Sequence, residues 1–161
     1  MNSRQAALSA QLAERRLELP KFFTLEALQT YLAADRNREI VITEFDELPG
    51  TDVCGMWIGL QDRDVILHAP ARAPLHRQQI VLHEFGHMIL KHDVDAIQVQ
   101  SGTGLIATID PTTIRHILLR SSFSDESELA AELLADRLSA RIKNSMQSLA
   151  TEHLSFGEVF G

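Results

Sequence analysis

The chain has a single cysteine, Cys54, so no disulfide can form within it, which suits a reducing compartment. It has no excess of positive charge: 15 Lys and Arg against 22 Asp and Glu give a formal net charge of −7. That balance lacks the cationic face needed for non-specific binding to nucleic acid, so no direct nucleic-acid contact is expected. No apolar run approaches the roughly 20 residues of a membrane-spanning helix. The opening MNSRQAALSAQLAERR has neither the long apolar core nor the cleavage pattern of a signal peptide. Repeats and low-complexity tracts are also missing. Together these absences lead to the expectation of a cytoplasmic protein with no membrane contact. What is present is an ordinary globular composition, 45% hydrophobic and 23% charged over 161 residues. That length suits one domain with a core that needs no staples.

Periodicity sketches the architecture. Residues 3–17 read as a helix with Ala7, Leu8, Leu12 and Leu17 on one stripe, interrupted by Pro20. Thr24 is a suitable N-cap for a second helix over about 25–35, with Leu25, Leu28 and Leu32 facing inward. Strand patterns follow at 40–42, 53–60 and 65–67. The polar Gln61–Asp64 between the last two predicts an antiparallel hairpin. A strand over 63–68, if it forms the sheet edge, would be free to pair with an extended peptide. A helix is expected over about 75–92, and Pro111 can open a short helix through Arg120. A last helix over Asp125–Lys143 would be capped by Ser124, with acids in its first turn. This order implies an α+β domain in which a small antiparallel or mixed sheet packs on helices.

The helix at 75–92 carries the chemistry. It contains His83-Glu84-Phe85-Gly86-His87, an H-E-x-x-H pattern that composition alone would produce in roughly one such chain in fifty. Two His four apart project from one helix face and can bind one Zn²⁺. Glu84, beside the first ligand, can hold a water at that metal and take its proton as the water attacks a carbonyl. Apolar residues at 80–82, 85 and 88–90 surround the pattern on nearly every side, which marks a buried helix rather than a solvated one. A buried Glu beside two buried His is costly unless something satisfies all three, and a metal does so. His68 and His76 flank this helix and could line its cleft. Gly86 costs about 1 kcal/mol against Ala within a helix, which a close backbone approach beside the metal would explain.

Two His do not complete a hydrolytic zinc site, which usually has three protein ligands. Glu128, Glu132 and Asp136 are spaced by four on a Leu- and Ala-rich helix, and their mutual repulsion is relieved by a cation. Some member of this stripe is the candidate third ligand. A competing scheme would use Asp93, but Leu90 stands where a Gly would have to turn the chain back towards the metal. A closed structural zinc site normally draws on several Cys, and this chain has one.

HEFGH followed by an E-x-x-A-E helix resembles the gluzincin zinc peptidases, specifically the ImmA/IrrE metallopeptidases of bacteria and phages. Further similarity lies at Leu19-Pro20, Cys54–Ile58, Arg63–Ile66 and His76-Arg77, so it runs from about residue 17 to residue 143. It implies a zincin-like metallopeptidase domain spanning residues 1–161, with the H-E-x-x-H helix and a C-terminal ligand helix against the sheet. It further implies Zn²⁺ held by His83, His87 and Glu128, with Glu132 orienting an imidazole and Glu84 as general base. In the family the downstream helix reads E-x-E-A-E, and Ala130 replaces its middle acid here. A second register, Glu132 to Asp136, leaves Glu132 as the alternative third ligand. The implied activity is endopeptidase cleavage of a regulatory protein such as a helix-turn-helix repressor. The rival is a zinc-containing regulator that acts by binding its partner without cutting it. Nothing in the residues indicates an oligomeric state.

Overall fold

The computed structural model describes residues 3–45, 55–60, 62–91, 114–118 and 125–160, by backbone alone at 114–118 and beyond residue 144. The order of elements is α1 (Ser3–Arg16), α2 (Leu25–Arg36), β1 (Glu39–Glu44), β2 (Gly55–Leu60), β3 (Arg63–His68), α3 (Pro74–Ile89), β4 (Ile114–Leu118) and α4 (Asp125–Phe160). The class is α+β. Cys54, the Ser124 cap and Asp93 lie outside the described residues. Among those described, no helix is long and apolar enough to cross a membrane.

The four strands form one mixed sheet in the order β1-β3-β2-β4. β1 runs parallel to β3, whereas β2 is antiparallel to both β3 and β4. The β2–β3 hairpin forms as expected, with Gly59 opposite Asp64 and Gly55 opposite His68. Its second strand is not the edge, however. β1 pairs with β3 along its whole length, from Glu39–Arg63 to Glu44–His68, so β3 is interior and cannot take up a peptide as a sheet edge. The helix expected after Pro111 is also corrected, since residues 114–118 form β4 against β2. The β-branched Ile114 and Ile117 suit a pleated surface, and pairing with β2 outweighs the helix expected there from the sequence.

Helix α2 begins and ends by local chemistry. Thr24 Oγ1 accepts the Ala27 N–H at 3.1 Å, and Asn37 stops the helix in the left-handed region at φ 53°. Leu25, Leu28 and Leu32 are buried as expected. Helix α1 differs from expectation: Ala6, Ala10 and Ala13 form its buried face, and Leu8 and Leu12 are 54% and 43% exposed. The partner is α4, and an alanine face lets two helices approach more closely than leucines would. At the C-terminal end of α1 the pairing is fixed by Arg137 on Glu14 and by Arg141, which donates to the Pro20 carbonyl at 2.8 Å.

One hydrophobic cluster joins these layers, with Leu28 and Leu32 of α2, Trp57 and Ile66 of the sheet, Val81, Leu82 and Phe85 of α3, and Leu134 and Leu138 of α4. Asp64, fully buried at the β2–β3 turn, locks the hairpin to the end of α2. Arg36 Nε, Arg38 Nε and the Trp57 indole N–H donate to its carboxylate at 2.9, 3.2 and 3.1 Å. Arg36 also lies over the Trp57 ring at 4.9 Å. Removing one partner from such a buried ionic cluster typically costs about 3–5 kcal/mol, because the others are left uncompensated.

Candidate metal centre

The site forms where α3 meets α4, and a glycine sets how closely they meet. A β-carbon on Gly86 would stand 2.9 Å from the main-chain oxygen of Ala131 and 3.2 Å from its Cα. The close approach expected at Gly86 is present, made by a helix. Glu128 and Glu132 flank Ala131 on α4, while His83 and His87 flank Gly86 on α3. Contact between the two small residues therefore brings both carboxylates to the imidazoles.

The imidazole planes of His83 and His87 stand at 81°, and their Nε2 atoms are 3.2 Å apart. Glu128 spans both, with Oε2 3.1 Å from His83 Nε2 and Oε1 3.2 Å from His87 Nε2. Glu132 takes the opposite edge of His83, its Oε2 lying 2.9 Å from Nδ1. The geometry thus separates the two acids that the sequence left as alternatives. Glu128 faces the nitrogens that would bind a metal, and Glu132 faces the far nitrogen of His83, where a carboxylate can orient the ring. Asp136 belongs to neither group; it accepts a hydrogen bond from Gln79 Nε2 at 3.0 Å on the exposed side.

With Glu128 and Glu132 ionised, a neutral His83 cannot satisfy both of them. Glu132 and Glu128 both only accept, one at each ring nitrogen of His83, so a neutral His83 can donate to one of them and turns a lone pair towards the other. On its Nε2 side His83 meets both Glu128 Oε2 and His87 Nε2. With both acids ionised, either a second proton on His83 or a bound cation would satisfy both ring nitrogens. One ligand atom from each of His83, His87 and Glu128 lies within 4.8 Å of the others, so this trio could hold a metal ion. Imidazole nitrogens with a carboxylate form a donor set suited to zinc, among other divalent metals.

Titration follows the same geometry. Burial alone would raise the Glu128 carboxyl, but hydrogen bonds with His83 and His87 outweigh it and hold the pKa at about 2. Burial opposes the charge on His83, yet Glu128, Glu84 and Glu132 more than offset it and raise that imidazole above its ordinary value. His87, 1% exposed at its side chain, is lowered because burial and the neighbouring His83 outweigh Glu128.

Glu84 sits one residue beyond His83 and is 6% exposed, facing a cavity of about 130 Å³ between α3 and the start of β2. His83, Glu132, Ile80, Gln79, His76 and Gly55 complete its lining. His76, one of the two flanking histidines, is therefore at the cleft. His68 is not among the lining residues: it is buried on β3, with Nδ1 3.0 Å from the Ala69 carbonyl oxygen. Gly55 went unrecognised as a site residue, although a glycine inside a strand is a signal of close approach. Comparison with protein-family models, with curated proteins and with solved structures gives no match to this chain.

Proposed function

We propose that the protein is a cytoplasmic zinc metallo-endopeptidase with a zincin-like fold, acting on a regulatory protein such as a helix-turn-helix repressor. The observation that carries this reading is the convergence of His83 Nε2, His87 Nε2 and the Glu128 carboxylate within 4.8 Å, with Glu84 on the wall of the adjoining cavity. The resemblance of HEFGH and the following E-x-x-A-E helix to the ImmA/IrrE peptidases points the same way and supplies the substrate class. His83, His87 and Glu128 would hold the zinc ion, with Glu132 orienting His83 through Nδ1. When bound, zinc polarises a substrate carbonyl and lowers the pKa of a water at its open position to about 7.

The protein's own part is proton transfer and alignment. The Glu84 carboxylate accepts a proton from the attacking water and passes it to the leaving amine nitrogen. Its burial beside the cavity keeps bulk water from competing for that proton. The deciding experiment compares wild type with Glu84→Gln on a purified repressor encoded beside the protein. Gln is nearly isosteric and Glu84 is not among the metal-holding trio, so fold and zinc content should be retained while cleavage disappears. Cleavage by the Gln variant at the wild-type rate rules out this mechanism. Equal binding of the repressor by both, with cleavage by neither, makes the protein a zinc-containing regulator instead.

A further inference from the structure

We infer that Gly55 is a positioning residue for the general base, acting through the Glu84 carboxylate and not through the metal; this rests on the peptidase reading above. Gly55 opens β2, and a β-carbon there would stand 2.8 Å from Ile80 Cγ2 and 3.0 Å from Glu84 Oε1. Its φ lies outside the left-handed region, so space and not backbone conformation is what calls for glycine. The two neighbours differ in how they can respond. Ile80 is β-branched, and its χ1 is held in one well on a helix. The Glu84 oxygen is the tip of a long side chain, and Cγ of the same residue is already 3.4 Å from the added carbon. Intrusion at residue 55 is therefore relieved largely by rotating the Glu84 carboxylate away from its resting place. None of the metal-holding atoms of His83, His87 or Glu128 is among the three closest to that carbon.

Restoring ordinary contact moves the Glu84 oxygen by roughly half an ångström. A misplacement of about 1 Å can cost on the order of a hundredfold in rate, so roughly a tenfold loss is expected. Four proteins decide the matter: wild type, Gly55→Ala, Ile80→Ala and the double variant, each measured with zinc loaded and with zinc removed. In Gly55→Ala, kcat on the repressor should fall about tenfold with KM within about twofold and zinc stoichiometry unchanged. The ¹³C resonance of the Glu84 carboxyl in the metal-free protein, assigned by its loss in Glu84→Gln, should shift in the same variant. Ile80→Ala relieves the clash with isoleucine but not the one with Glu84. The double variant should therefore regain the unfolding temperature of Ile80→Ala while keeping the low kcat and the shifted resonance. If it regains the kcat of Ile80→Ala, Gly55 serves packing alone and the inference is overturned. An unmoved Glu84 resonance in Gly55→Ala overturns it too. If wild type cleaves nothing, the peptidase reading fails, and the resonance still decides whether residue 55 places the Glu84 carboxylate.

Discussion

Replacing Gly86 by alanine sets two known effects against each other, and the geometry says which prevails. In an exposed helix the change would stabilise by about 1 kcal/mol through helix propensity alone. Here the new methyl would lie 2.9 Å from the Ala131 carbonyl oxygen, 3.2 Å from its Cα and 3.4 Å from its carbonyl carbon. All three are main-chain atoms of a helix, so no side-chain rotation relieves them. α3 and α4 must separate locally by roughly half an ångström, and overpacking of this kind typically costs about 1–3 kcal/mol. The net effect on stability is therefore between roughly zero and 2 kcal/mol of destabilisation, a small signal. The larger one is in the metal site. Glu128 moves with α4 and the imidazoles with α3, so the opening separates ligands that must meet an ion at about 2.0–2.2 Å. Zinc affinity should fall about 10–100-fold, the range seen when the support of a metal ligand is removed. Competition with a chromophoric chelator measures this directly. Adding Ala131→Gly should not rescue affinity, because the obstructing atoms are main-chain. Unchanged zinc affinity with stability raised by the full helix-propensity gain would refute the close-approach argument.

The other expectations concern the acids and the protons. Glu128→Ala should weaken zinc far more than Glu132→Ala, because only Glu128 reaches both Nε2 atoms; equilibrium dialysis of the two variants tests the order, and a greater loss at Glu132 would reverse their roles. Zinc binding should weaken in acid. His83, raised above 6.5, is protonated below its folded pKa, so uptake there displaces one proton and apparent affinity falls about tenfold per pH unit. His87, lowered from 6.5, competes only further into acid, and a second proton should then be released. In the metal-free protein the Glu128 pairing contributes stability above pH 4.5, lost as pH falls through about 2. His83 adds stability that is full below 6.5 and disappears as pH rises through its folded value, while His87 works against folding in the same acid range. Unfolding curves of wild type and Glu128→Gln across this range, with chelator, should converge towards pH 2.

The parts of the site that a helix alone dictates were legible in the chain. His83, Glu84 and His87 share one helix, so their spacing determined their faces. The choice between Glu128 and Glu132 was not determined this way, since both lie on the same stripe of α4. What separates them is which end of the His83 ring each meets, and that depends on how α3 and α4 cross. Helix α1 misled for a related reason. Leucines are larger than alanines and look like the buried face, but the close approach of α4 favours Ala6, Ala10 and Ala13. The strand at 63–68 reads the same whether it is at the edge or inside. Its interior place is fixed by β1 running parallel to it, a pairing between distant segments that local alternation cannot show. The stretch after Pro111 was misread for the same reason, because β2 supplies the hydrogen bonds that make it a strand.

Two glycines were anomalies of different visibility. Gly86 interrupts a helix and so is conspicuous at once, whereas Gly55 begins a strand and is easily taken as ordinary. Structurally they are a pair: Gly86, within α3, admits the backbone of α4 beside His83 and His87, and Gly55 admits β2 to Glu84. The H-E-x-x-H helix is thus positioned by contact with α4 and with β2, and both contacts depend on a missing methyl group. Interiors at this density transmit displacement instead of absorbing it. The strand bearing Gly55 is itself fixed through the Trp57 side chain and at its far end, where Asp64 with its two arginines stands opposite Gly59. A loosened Asp64 cluster would therefore reach Glu84 through β2, whereas a loosened α1–α4 contact would reach Glu128 through α4. The proposed base and third ligand therefore lean on different neighbours, β2 and α4, which meet at α3. On the proposed reading, a change at residue 55 would bear first on proton transfer and a change at residue 86 first on metal binding.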